Sequence, residues 1–110
     1  MKKKAAIPEE VKKQVEDIVA RFNREKSRRA DCYYEVRFKG KHCYLDRCDC
    51  GRTGPICRLT YTGKMDKWDF AIFKWSDERY DHEEWMFPGS EHLDGTVEGA
   101  MEAGLDAYPA

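Results

Sequence analysis

The sequence predicts an α+β fold: an N-terminal helix, a four-stranded antiparallel meander, a long wrapping loop and a C-terminal helix, with both helices on one face of the sheet. Three observations predict it. Four segments, residues 33–38, 42–47, 56–61 and 68–75, are rich in aromatic and β-branched residues. The joins between them are short and hold turn residues, as in Lys39-Gly40-Lys41, so they cannot carry the crossover helix that parallel pairing needs. Apolar stripes at helical spacing stand on either side of the run.

The first helix is expected over residues 8–24. Val11, Val15, Ile18, Val19 and Phe22 make one stripe. Pro8 suits the first helical position, and Glu9 and Glu10 suit the positive end of the helix dipole. Arg24, Lys26, Arg28 and Arg29 follow at the negative end. That end complementarity accounts for the basic cluster, and no aromatic residue interleaves with it, so nucleic acid is not the expected partner.

Strand alternation divides the sheet into two faces. Tyr34, Val36 and Phe38 oppose Tyr33, Glu35 and Arg37; Cys43 and Leu45 oppose His42, Tyr44 and Asp46; Cys57, Leu59 and Tyr61 oppose Arg58 and Thr60. The fourth strand breaks the rule. Phe70 and Ile72 suit the core, yet Ala71, Phe73 and Trp75 are apolar on the other side. A strand apolar on both faces is normally covered on both. The expected cover is the segment 76–93, which holds Tyr80, Trp85, Met86 and Phe87. It either completes the core or roofs a ligand crevice.

The last helix is expected over residues 94–107, with Asp94 as its cap and Val97, Met101, Leu105 and Tyr108 as its stripe. Gly99 and Gly104 inside it each cost about 1 kcal/mol relative to Ala. Close approach to the sheet aromatics is the expected compensation, with a self-association face as the alternative.

With 110 residues, 41% hydrophobic and 37% charged, the chain makes a single domain over residues 1–110, with residues 1–6 expected to be disordered. No stretch nears the roughly 20 apolar residues of a membrane span. The basic start lacks the apolar region of a signal peptide, so a cytoplasmic location is expected. The net charge of −1 hides a gradient. Residues 1–41 carry 13 Lys/Arg against 7 Asp/Glu, and residues 76–110 carry one, Arg79, against 10. Mutual neutralisation of the two ends is the simplest account.

Two constellations bear on chemistry. Pairing about a turn at Gly40 sets Cys32 opposite Cys48 or Asp49, near Cys50, with Cys57 beyond the same loop. Four thiolates gathered there would hold a structural zinc, and Cys32 with Cys48 would make a redox pair, helped by Arg47 and Arg52. Buried, inert cysteines are the plainer reading. His42 cannot join the set, since it lies about 20 Å along the strand from Cys48. The second constellation is the acidic run Asp77-Glu78-Arg79-Tyr80-Asp81-His82-Glu83-Glu84, where a histidine among carboxylates permits acid–base or metal chemistry. His92 carries no signal of its own. Tyr33 and Tyr44, exposed on one face, have the form of a base-stacking platform but lack a basic surround.

From Tyr34 onward the chain resembles small uncharacterised bacterial domains built as a helix followed by a short antiparallel meander. The stretches that carry the likeness are Tyr34-Glu35-Val36-Arg37-Phe38-Lys39-Gly40, Tyr44-Leu45-Asp46-Arg47, Arg58-Leu59-Thr60-Tyr61-Thr62-Gly63 and Trp68-Asp69-Phe70-Ala71-Ile72-Phe73-Lys74-Trp75. The resemblance implies the architecture and no activity, and the loop cysteines lie outside it.

No catalytic constellation stands out. The expected function is a non-enzymatic binding or protein-interaction module in the cytoplasm, with a protein or small-molecule partner, as a monomer or weak homodimer and without a cofactor. The alternatives are a zinc- or thiol-dependent protein using Cys32, Cys48, Cys50 and Cys57, and a small enzyme using the acidic loop 77–84.

Overall fold

A computed structural model describes residues 7–26, 32–49, 51–76, 78–81, 83 and 87–108. Residues 1–6, expected to be disordered, lie outside that set. The order is α1 (Glu9–Lys26), β1 (Cys32–Lys39), β2 (His42–Asp49), β3 (Arg52–Thr60), β4 (Asp69–Lys74), β5 (Arg79–Asp81), a 3-10 turn (Ser90–His92) and α2 (Val97–Ala107). The strands form one antiparallel meander in sequence order, β1 to β5. The class is the α+β one expected, with a fifth strand added.

The first hairpin turns at Gly40, whose φ of +61° a glycine adopts freely, and Cys32 lies opposite Asp49. The second hairpin differs from expectation. Residues 48–55 read as a loop because of Gly51, Gly54 and Pro55, yet Asp49 pairs with Arg52 and Cys48 with Thr53. Two devices admit the breakers into the strand. The register slips between Leu45 and Asp46, so Pro55 and Ile56 sit at a bulge, where proline is tolerated. Gly54 leaves room for the Trp75 ring, which would stand 3.3 Å from any Cβ there. The bulge also turns Ile56 into the core beside Cys57.

Both helices pack on the inner face of the sheet. Val11, Val15, Val19 and Phe22 of α1 and Val97, Ala100 and Met101 of α2 meet Tyr34, Cys43, Leu45, Ile56, Cys57 and Leu59. Gly104 makes the close approach its sequence position implied: a Cβ would collide with the Tyr34 hydroxyl and stand 2.7 Å from Ile56 Cγ2. That hydroxyl donates to Met101 O at 2.8 Å. Gly99 serves the helix start instead, since a Cβ there would press on Asp94 and His92 O, both at 2.5 Å. The cap is Thr96, two residues later than expected; its Oγ1 accepts from the Gly99 N–H at 3.0 Å. Asp94 in turn accepts from Thr96 Oγ1 at 2.6 Å, and this bond holds its carboxyl below the ordinary value.

The last turn of α2 has no basic residue of its own. Arg47, buried on the inner face of β2, supplies the cation, donating to Gly104 O at 3.5 Å and to Tyr108 O. A guanidinium under the negative end of a helix satisfies orphan carbonyls and complements the dipole. The expected pairing of basic start with acidic end is seen where Lys26 Nζ meets Glu102 at 3.2 Å.

The segment 76–93 needs correction. Its described part does not wrap the second face. Arg79–Asp81 extends the sheet by pairing with β4, and the chain then returns to the helix side, where Phe87 stacks on Phe70 at 5.9 Å and Gly89 abuts Ala103. Trp85 and Met86 lie outside the described residues. β4 is an inner strand, as required, but shorter than the expected 68–75. Ala71 is buried and Phe73 half-buried, whereas Trp75 is 54% exposed.

Candidate functional site

The outer face of the sheet bears the most distinctive side-chain arrangement. Register places Arg37, Tyr44, Arg58 and Ala71 in one row across β1 to β4, with Asp46 beside them and Tyr80 paired to Phe73. Among the described residues neither helix covers this face. Its side chains cover one another.

Asp46 is 7% exposed, and Arg37 answers it bidentately, with Nε to Oδ2 at 2.6 Å and Nη2 to Oδ1 at 3.2 Å. The fork geometry makes this a strong form of ion pair. The Arg37 guanidinium lies 4.8 Å from the centre of the Tyr44 ring, and Arg58 lies 5.5 Å from that of Tyr80. The two tyrosines meet edge to face at 5.4 Å, and Tyr80 meets Phe73 in the same way at 5.0 Å. Tyr80 thus leans from the border strand over the small Ala71 to reach β2. Burial and the Asp46 carboxylate push its phenol up, against the pull of Arg37. Arg58 Nε is sealed beneath this layer, with no acceptor among the described residues.

The lattice has a wet margin. Tyr33 is 37% exposed, and its bond to the Cys48 thiol raises its phenol pKa. His42 Nδ1 lies 3.0 Å from Thr60 Oγ1, and burial, Arg58 and Lys41 hold the imidazole below its ordinary value. Charge on the face balances: Glu35, Asp46 and Asp69 stand against Arg37, Lys39 and Arg58.

The cysteine constellation does not form as a group among the described residues. Cys32 is on the inner face opposite Asp49, whereas Cys48 is on the outer face between Tyr33 and Thr53, so the pleat sets the two thiols on opposite sides. Cys57 is mid-sheet, opposite Leu45 and Ile72, because β3 starts five residues before it. Cys50 lies outside the described residues. Burial pushes the Cys43 thiol up to about 12 and the Cys57 thiol well above its ordinary value, which keeps both protonated and unreactive.

Within the acidic run, Asp81 accepts from the Glu83 N–H at 2.9 Å and faces Lys74 and Arg79 at 3.7 and 3.8 Å, while Tyr80 turns to the outer face. Asp77, His82 and Glu84 lie outside the described residues, as do Arg28 and Arg29 of the basic cluster. Fold closure brings together one group the sequence did not suggest: His92 Nε2 stands 3.0 Å from Asp106 and 3.9 Å from Glu91. On this exposed surface the trio ties the 3-10 turn to α2. Fourteen residues separate His92 from Asp106, and no local signal marks the contact. No protein-family model, curated protein or solved structure matches this chain, so its own geometry carries the functional reading.

Proposed function

We propose that the protein is a non-enzymatic binding module of the cytoplasm that docks a protein segment on the outer face of its sheet. The arginine–tyrosine lattice of Arg37, Tyr44, Tyr80 and Arg58 is the observation that carries this reading. Tyrosine and arginine are the residues most enriched where interfaces concentrate their energy, and rigid aromatic surface costs little entropy to bury. Here the rings are already fixed by one another and by the Arg37–Asp46 pair. The partner is a polypeptide rather than nucleic acid, because the face is electroneutral. A phosphate backbone needs a surplus of cations, and here cations and carboxylates are equal in number. The segment that fits pairs apolar side chains, set against Tyr33 and Tyr44, with an acidic group directed at the arginines.

Selection from a displayed library of random peptides tests this. Enriched peptides should combine acidic and apolar residues. A synthetic copy should bind at least about tenfold more weakly to Tyr44→Ala/Arg58→Gln, a loss of roughly 1.4 kcal/mol, with circular dichroism unchanged. Binding that ignores both substitutions, or a selection that yields no common pattern, rejects the reading.

A further inference from the structure

β2 and β3 run past the end of α2. That helix stops at Ala107, while the two strands continue to Asp49 and Arg52. The overhang leaves a groove of about 300 Å³ on the helix side of the sheet, walled by Trp75 and Tyr108 and floored by Arg47, Asp49, Arg52 and Gly54. That volume is at the lower limit for small-molecule sites.

Trp75 is the unusual member. It is the most exposed large apolar side chain among the described residues, at 54%, yet it is held in place. Its ring abuts Phe73 edge to face at 5.1 Å and rests on the bare backbone of Gly54. A fixed, half-open indole is a stacking surface whose ordering cost has been met by folding. The charges around it are unequal. Arg47 is committed to the carbonyls of α2 and Asp49 is already engaged. Arg52 is exposed and makes no ion pair among the described residues.

We propose that this groove is a binding site for a small planar aromatic carboxylate, its rings stacked on Trp75 and its carboxylate paired with Arg52. A single spare guanidinium matches a monoanion in bidentate geometry. A dianionic phosphate is disfavoured by the neighbouring Asp49. The site shares with the Tyr44–Tyr80 lattice only the contact of Trp75 with Phe73.

The probe is 2-naphthoate, titrated into the full chain and followed in nitrogen–proton correlation spectra, with the Trp75 indole resonance assigned from Trp75→Leu. The expected result is saturable binding that shifts that resonance. The uncharged 2-naphthamide should bind about tenfold more weakly, the equivalent of one charge-assisted pair. Arg52→Gln, an exposed change that leaves the fold intact, should make the two compounds equal. The proposal is overturned by absent or unsaturable binding, by shifts that spare Trp75, or by equal affinity for acid and amide in the unaltered chain.

Discussion

The two faces of the sheet reach a packed state by different means. The inner face is aliphatic and thiol-rich, and other elements cover it: Leu45, Leu59, Cys43 and Cys57 are at most 1% exposed beneath α1 and α2. The outer face is aromatic and ionic, and covers itself through Arg37, Tyr44, Tyr80 and Phe73. Helical cover hides a surface completely. Lateral cover hides the Asp46 carboxylate but leaves Tyr33 and the Arg37 side chain partly in water, and those are what a partner can reach.

The comparison can be broken from either side. Truncation on the inner face should cost most. Leu45→Ala opens a cavity beneath both helices and should lower stability by about 3 kcal/mol, read from the urea midpoint at constant slope. A loss near 1 kcal/mol would mean that the helices collapse onto the sheet. On the outer face, Arg37→Ala leaves the Asp46 carboxylate covered and unanswered, and should cost about 2 kcal/mol. Adding Asp46→Leu to that variant should recover most of the loss, because no charge then remains to be satisfied. If the double variant is no more stable than the single, the pair is not what holds the lattice.

The smallest effect sharpens the contrast with pH. The His42 imidazole is held below its ordinary 6.5 in the folded chain, so as pH falls through 6.5 the unfolded chain takes up its proton first. Stability therefore declines from there down to the lower folded value, then levels. His42→Gln should remove that decline in urea titrations across the interval. An unchanged profile would show that neither burial nor Arg58 and Lys41 act on the ring.

Strand alternation and hairpin chemistry made much of this legible. The turn at Gly40 set the β1–β2 register, and the two-residue period placed Tyr33, Arg37, Tyr44 and Arg58 on one side. The helical stripes gave both core faces. Three features escaped for physical reasons. Glycine and proline in residues 51–55 signal a loop locally, and only the bulge and the Trp75 ring, both tertiary, make them compatible with a strand. β5 is three residues long inside an acidic run, so its pairing with β4 outweighs its own propensity. With Tyr80 read as part of a covering loop, its contact with Tyr44 could not be foreseen, although the residues of the lattice other than Tyr80 already shared a face on paper.

Asn23 of α1 gives the molecule a further property. Its side-chain amide donates to Tyr34 O at 2.9 Å and accepts from Tyr34 N–H at 2.8 Å, copying the bonding of a neighbouring strand. The β1 border is therefore plugged by a helix side chain at that rung. A second copy cannot extend the ladder past Tyr34 without expelling this amide, so runaway stacking into fibrils is obstructed on that side of the sheet.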